Sequence, residues 1–216
     1  MGGPFGGGGF VPGGARGFTL APATAPGHVF FFRLARPVVT VSVMTGYVVL
    51  LRGVNVGGRT LKMAEVRAAL ADGGYPGART VLASGNVLLD SEDDAAQVGS
   101  AVEGVLTERF GYQAWVLVRT AGELAQLVAD YPFDTDETSH HPYVVFCRSR
   151  QVLDELGEVL AETSDDERIA PGTDVLYWEC PRGSSLETKA SKVLARARYK
   201  RDVTTRNLRT LRKLLS

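Results

Sequence analysis

Short apolar runs and amphipathic helical stripes alternate along this chain in one order, and that order occurs twice. Residues 47–51 read as a strand covered on both faces, because all of them are apolar or aromatic. A helix, a hairpin, a second helix and a further strand follow, which is the order β-α-β-β-α-β. The sequence therefore predicts an α+β fold of two ferredoxin-like subdomains related by internal duplication, at residues 46–130 and 142–216, plus a C-terminal helix.

Capping residues and turn residues set the predicted boundaries in the first subdomain. Asp93 or Asp94 is suited to begin the second helix, and Thr120 a third one. Ser84-Gly85-Asn86 predicts a tight turn, since glycine and asparagine tolerate positive φ. The predicted elements are helices at 62–70, 93–110 and 121–129 and strands at 47–51, 78–83, 87–89 and 114–118.

The second subdomain follows a predicted linker at residues 131–141, in which His140 and His141 belong to a polar loop. A helix is expected from Ser185 or Leu186 to Arg198, and Thr205 is the expected N-cap of the final helix. The other predicted elements are strands at 143–147, 167–170, 174–179 and 200–204 and a helix at 151–161.

Residues 1–45 differ from the rest of the chain in composition. They are rich in glycine and proline and contain three arginines and no acidic residue. Such a segment buries too little apolar surface to offset its chain entropy. We expect that residues 1–43 lie outside the native protein, which then begins at Met44. A disordered extension and a targeting peptide are the alternatives. No apolar span approaches the roughly 18–20 residues of a membrane helix.

Charge is balanced over the whole chain but unevenly distributed. Formal net charge is zero, which argues against a uniformly basic surface for nucleic acid. Residues 91–187 carry 6 basic and 20 acidic residues, whereas residues 188–216 carry 10 basic residues and one acidic residue. Cys147 and Cys180 lie in separate apolar runs. We therefore expect buried, reduced thiols and a cytoplasmic protein.

The loop after the first strand is the first candidate for a binding site. Arg52 ends the strand and offers a planar fork for phosphate or carboxylate. Asn55, Gly57 and Gly58 follow, and glycine-rich turns direct backbone N–H groups toward anions. Lys62 adds charge at the next helix start. Neither GxxxxGK[ST] nor GxGxxG is present, so a simple sharp connection, an anion site and direct catalysis all stay open.

Two later motifs supply the other candidates. Ser84 and Asn86 either form a hairpin turn only or present polar groups to a ligand. Thr205, Arg206 and Asn207 either begin a docked C-terminal helix or face the same anion as Arg52. We expect these motifs to meet the first loop in space.

Metal and acid–base chemistry are poorly supported by the pattern. Adjacent histidines point apart in most backbones, and no third ligand lies at zinc-site spacing from His140 and His141. No pair of carboxylates is singled out for general acid–base work. No metal, cofactor or catalytic residue is therefore predicted, and whether the protein is an enzyme stays open.

Four motifs in order resemble the bacterial family catalogued as domain of unknown function 1697. They are residues 50–58, Lys62-Met63, residues 84–87 and residues 204–207, within a match from Gly46 to Ser216. The resemblance implies a cytoplasmic bacterial protein of two α/β subdomains with no established activity. One position departs from the family, which usually has an aromatic residue where this chain has Leu208.

Taken together, these patterns favour a protein that binds a small phosphate- or carboxylate-bearing ligand. A protein-interaction or structural module is the main alternative, in which the polar motifs serve folding only. Nucleic-acid binding is disfavoured, because neither half has the aromatic pattern that stacks bases and the body is acidic. No membrane association is predicted, and the oligomeric state stays open.

Overall fold

The computed structural model describes residues 43–52, 61–161 and 166–216. The predictions for Asn55, Gly57 and Gly58, and those for residues 1–42, lie outside these described residues.

The first half of the described chain contains four strands and three helices. These are β1 (Thr45–Arg52), α1 (Met63–Asp72), β2 (Arg79–Val81), β3 (Asn86–Ser91), α2 (Ala95–Phe110), β4 (Trp115–Thr120) and α3 (Ala121–Ala129). The second half contains β5 (His140–Cys147), α4 (Arg150–Val159), β6 (Arg168–Pro171), β7 (Val175–Pro181), α5 (Lys189–Leu194), α6 (Ala197–Lys200), β8 (Val203–Asn207) and α7 (Leu208–Leu214). The predicted α+β class is confirmed.

The strands form two four-stranded sheets in which every paired neighbour is antiparallel. The strand order is β2-β3-β1-β4 in one sheet and β6-β7-β5-β8 in the other. Each sheet thus places the first strand of its half in the interior, between the third and the fourth. β5 begins at His140, two residues before the boundary predicted for the second subdomain.

Local capping chemistry explains where α2 and α3 begin and where α2 ends. Asp94 forms a reciprocal capping box with Gln97 at the start of α2, and Thr120 does the same with Glu123 at the start of α3. Gly111 ends α2 with a φ of 64°, a left-handed conformation that glycine adopts without steric cost. The predicted caps are confirmed, because each depends only on residues within one helical turn.

The prediction was wrong where cross-strand pairing extends an element. Residues 82–85 form the turn between β2 and β3, so Asn86 is the first residue of β3 instead of part of the turn. His140 and His141 belong to β5, where they pair with Pro181 and Cys180, and do not form a polar loop. Pairing with a distant strand decides these positions, and local polarity does not reveal it.

The C-terminal region also differs from the prediction. The single helix expected up to Arg198 is two short helices, α5 and α6, and Thr188 caps α5 through the N–H of Ser191. Thr205 is not a cap, since it pairs with Val145 inside β8. The N-cap of α7 is Asn207, whose Oδ1 accepts a hydrogen bond from the N–H of Arg209 at 2.9 Å.

Both faces of each sheet are covered. On one face of β1, Val49 and Leu51 pack into a cluster with α1 and α2. On the other face, Val48 and Leu50 join a cluster that includes residues of both sheets together with α3 and α7. This second cluster, which we call the shared core, contains Val48, Leu50, Leu117, Leu124, Leu127, Val144, Phe146, Val175, Tyr177, Leu208, Leu211 and Leu214.

The shared core gives Leu208 a structural role, because its side chain is buried among the residues of α7 and the two sheets. Apolar burial of this kind accepts leucine in place of an aromatic residue with a change in packing only. Within the described part of the chain, none of the helices has the length and apolar character of a membrane span.

Candidate functional site

A cavity of about 550 Å³ lies where the C-terminal end of β1 meets β8 and α5. Its lining residues include Arg52, Ser84, Thr205 and Arg206, four of the residues singled out from the sequence. The other lining residues are Leu51, Tyr143, Trp178, Ser185, Leu186, Ser191, Leu194, Ala195, Lys200, Val203 and Thr204. Among the described lining residues, three are cationic and none is acidic.

Arg206 is the most constrained side chain of this site. It is only 7% exposed, although it carries a guanidinium group with five N–H donors. These donors meet five acceptors, which are Asn86 Oδ1 (2.7 Å), Thr204 Oγ1 (2.7 Å) and the carbonyl oxygens of Thr205 (3.0 Å), Leu51 (2.8 Å) and Gly85 (3.2 Å). Arg206 therefore ties β8 of one sheet to β1 and the β2–β3 turn of the other.

Asn86 completes the same network from the first sheet. Its side chain is fully buried, and its amide nitrogen donates to the carbonyl of Val81 and to Ser84 Oγ, both at 2.9 Å. Its amide oxygen accepts from Arg206. The amide group is thus fully engaged by the protein itself. The turn it closes is unusual, since Leu82 adopts a φ of 59°, which is uncommon for a residue other than glycine.

The electrostatics of the two arginines are unusual. Burial and, to a smaller extent, the neighbouring charge of Arg52 together lower the pKa of Arg206 to about 10. Burial also lowers the pKa of Arg52. Among the described residues, no carboxylate forms an ion pair with either arginine. Two adjacent cations are therefore partly withdrawn from water without a described anionic partner.

Arg52 differs from Arg206 in how its donors are used. Its Nη2 donates to the carbonyl oxygen of Lys200, which connects β1 to the end of α6. Its Nε is buried and has no acceptor within the described part of the chain. A half-buried guanidinium with an unused donor beside a cavity is suited to hold an anion.

Two aromatic residues also line the cavity. Tyr143 and Trp178 are directly opposite each other on β5 and β7, and their rings stack with centroids 4.8 Å apart at 24°. Trp178 is 4% exposed, and its indole N–H has no acceptor in the residues that the structure describes. Burial raises the pKa of Tyr143. The sequence analysis did not identify this pair, because only the strand register brings residues 35 positions apart face to face.

Other predicted site residues have separate roles in the described structure. Lys62 is exposed at the start of α1, where it pairs with Glu65 at 3.4 Å, and it does not line the cavity. Asn207 uses its side-chain oxygen to cap α7. Ser84 lines the cavity and also accepts from Asn86. The structure thus brings together Arg52, Ser84, Asn86, Thr205 and Arg206.

A second cavity, of about 540 Å³, is lined by other residues of α5. It contains Lys189, Lys192 and Arg196, but also the carboxylates of Asp166, Glu167 and Glu187. This mixture of charges makes the second cavity a weaker candidate for an anion than the cavity beside Arg52.

Redox and metal chemistry find little support among the described residues. Burial raises the pKa of Cys147 to about 12 and that of Cys180 to about 11, which suppresses the reactive thiolate at neutral pH. In the part of the chain that the structure describes, no group of histidine, cysteine and acidic side chains is arranged to hold a metal ion.

Comparison with known proteins gives a family and a fold. A family model described as "Protein of unknown function (DUF1697)" matches residues 44–177. The chain is similar to a solved structure of the conserved bacterial protein SP0830 from Streptococcus pneumoniae, with 23% identity and a TM-score of 0.67. That match covers 80% of this chain and 99% of the other, and it shows a shared fold only.

A second solved structure, an unknown protein from Galdieria sulphuraria, has 14% identity over 76% of this chain and 98% of its own. Its TM-score of 0.23 is too low to support a shared fold. No curated protein matches the chain in sequence.

Proposed function

The chain belongs to the DUF1697 family of proteins of unknown function, and we propose that it binds a small phosphate- or carboxylate-bearing ligand beside Arg52. One observation carries the proposal. Arg206 is a buried cation with the half-buried cation Arg52 beside it, and no carboxylate pairs with either among the described residues. Like charges and burial both disfavour the charged state, so an anion bound beside Arg52 offsets part of both costs.

The two arginines have different roles in this proposal. Arg206 already donates to five acceptors of the protein, so it is a positioning residue that holds the cavity wall and contributes positive potential. Arg52 lines the cavity and has a donor without an acceptor among the described residues, and we assign it as the direct contact for the anion. Lys200 lines the same cavity and adds a third positive charge.

Hydroxyl groups complete the proposed contacts. Ser84 and Thr205 line the cavity and can donate to anion oxygens. Asn55, Gly57 and Gly58 follow Arg52 directly in the chain, and we retain them as proposed donors for the same anion. Asn86 supports the site through Arg206, and the proposal assigns no catalytic role to any residue.

We further propose that the two halves are ferredoxin-like units related by duplication, at residues 46–130 and 142–216 with a linker between them. The support is that the first half has the order β-α-β-β-α-β, that the second has the same order with two short helices before its last strand, and that each half places its first strand between its third and fourth. A bacterial, cytoplasmic protein remains our proposal for its origin and location, supported by the family resemblance and by the two unpaired cysteines.

A structural or protein-interaction module is the second candidate function. It is favoured by the internal use of the polar motifs, since Arg206, Asn86 and Asn207 all bond to other parts of the chain. In that case the cavity has no ligand, and the motifs stabilise the contact between the sheets.

Thermal unfolding with added anions distinguishes the two candidates. The wild-type protein is heated with inorganic phosphate, simple organic phosphates or simple carboxylates, with chloride at equal ionic strength as the reference. An anion at about 100 times its Kd adds about 2.7 kcal/mol of stability. For a domain of this size, that is a rise in Tm of roughly 5–10 °C.

Arg52→Ala tests whether the anion lies where we propose. We expect this variant to lose the rise in Tm, whereas Arg119→Ala keeps it. Arg119 is a matched control, because it is also a half-buried arginine but lies on β4 outside this cavity. A full rise in Arg52→Ala, or no rise in the wild-type protein with any of these anions, overturns the proposal.

A further inference from the structure

We infer that the ligand of this cavity joins its anionic group to a planar aromatic ring. The inference rests on the anion site proposed above and deepens it by naming the chemical class of the ligand. It is based on the aromatic lining residues Tyr143 and Trp178, to which the proposed anion site assigns no contact.

The size of the cavity is the first argument. A phosphate or carboxylate group fills only a small part of about 550 Å³. Cavities of roughly 300–1,000 Å³ are typical of sites that enclose a whole small molecule. The ligand therefore has a body as well as a charged group.

The character of the lining is the second argument. Besides Arg52 and Lys200, the cavity is lined by the stacked pair Tyr143 and Trp178 and by the leucines Leu186 and Leu194. Leu186 is 87% exposed, so a large apolar side chain stands uncovered at this cavity. A flat, unsaturated ring is the body that both aromatic and aliphatic surfaces accommodate.

The indole N–H of Trp178 also points to a ligand with a polar ring. This N–H is buried and has no acceptor among the described residues, and Trp178 is one of the residues that line the cavity. Buried donors in native proteins nearly always have a partner, and an orphaned one calls for an explanation. A ring nitrogen or a carbonyl oxygen on the ligand is an acceptor of the required kind, and the adjacent hydroxyls of Ser185 and Ser191 can bond further polar groups of the ring.

Two kinds of molecule share this chemistry, namely nucleoside monophosphates and aromatic carboxylates. They are separated by matched pairs of probes that differ by the ring alone. Adenosine monophosphate is compared with ribose phosphate, and benzoate is compared with acetate. The pair in which the ring increases affinity more shows whether the ligand is a nucleoside monophosphate or an aromatic carboxylate.

Trp178 itself reports on the ring. The chain contains two tryptophans, so in Trp115→Phe the fluorescence comes from Trp178 alone. We expect the ring-bearing probe of one pair to bind at least about tenfold more tightly than its ring-free partner and to change the emission of Trp178. Calorimetric titration of the wild-type protein gives the same comparison if Trp115→Phe does not fold.

Variants of Tyr143 and Arg52 test which residue contacts the ring of the ligand and which contacts its anionic group. Tyr143→Ala is expected to remove the advantage of the ring-bearing probe, while Tyr143→Phe keeps it. Arg52→Ala is expected to weaken both probes of the pair equally. Equal affinity of ring-bearing and ring-free probes overturns the inference but leaves the anion site standing, whereas no binding of any anion overturns both.

Discussion

Replacing Arg206 with methionine removes a buried guanidinium whose five donors hold the two sheets together. Methionine keeps a long, unbranched side chain, so the apolar part of the space stays filled. The variant therefore removes the hydrogen bonds with little change in volume. It tests whether Arg206 acts on the fold, as its contacts indicate.

The magnitude follows from the acceptors that lose their partner. Asn86 Oδ1 and the carbonyl of Leu51 each lose the single donor that the described structure provides. Gly85 keeps a donor, because its carbonyl also accepts from the N–H of Leu51 at 2.8 Å. Each orphaned acceptor costs about 1–3 kcal/mol. Release of a buried charge offsets part of this cost, so we expect a net loss of about 2–4 kcal/mol in the free energy of unfolding.

The assay is equilibrium unfolding in urea at pH 7, followed by circular dichroism and by tryptophan fluorescence to test for a single transition. Asn86→Ala and the double variant complete a mutant cycle. Because the bond between Asn86 and Arg206 is charge-assisted, we expect a coupling energy of about 1–3 kcal/mol. Arg201→Met is the control, since Arg201 is exposed and its loss is expected to cost less than about 0.5 kcal/mol.

Two results contradict this reasoning. A loss below about 0.5 kcal/mol for Arg206→Met means that the bonds contribute nothing net to stability. A coupling energy near zero with a large loss in each single variant means that the two residues act separately. Either result means that Arg206 is a candidate for direct contact with the ligand instead of a positioning residue.

Two other predictions concern the segment between the halves. Glu179 is 3% exposed, and its carboxylate accepts hydrogen bonds from Arg168 Nε at 2.7 Å and from Thr135. Glu179→Gln is therefore expected to lower the free energy of unfolding by about 1–3 kcal/mol. Urea denaturation measures this loss, and an unchanged midpoint contradicts the prediction. Burial raises the pKa of Tyr131 from 10.0 to about 12. Between these two pH values the folded state keeps a proton that the unfolded state releases. The free energy of unfolding therefore falls as pH rises above about 10. A difference titration of wild-type protein and Tyr131→Phe by ultraviolet absorbance measures this pKa, and a value near 10 contradicts the prediction.

The sequence predicted most of the fold where the determinants are local. Asp94 and Thr120 each bond within the first turn of their own helices, and Gly111 ends α2 by its own backbone conformation. The apolar run of β1 predicts burial on both faces, and its alternate residues do pack into two different clusters. Predictions were wrong at Thr205 and His140, because pairing between strands overrides local preference at both positions.

The candidate site was predicted in part. The sequence pointed to Arg52, Asn86 and Arg206 as residues that meet, and the described structure does bring them together. It did not indicate that Arg206 makes five hydrogen bonds to described protein acceptors, nor that Tyr143 and Trp178 stack in the lining of the same cavity. Both facts depend on which acceptor or ring lies opposite, and no local pattern encodes that.

The sequence by itself determined the types and order of the elements, because helix periodicity, caps and turn residues act within a few positions of the chain. Only the tertiary structure decided the role of each polar residue. Asn86 and Arg206 are 120 positions apart, and they bond because the two sheets pack on a shared core with one particular register. Whether a buried donor serves the fold or a ligand depends on that packing, since the protein's own acceptors compete first for every N–H they can reach.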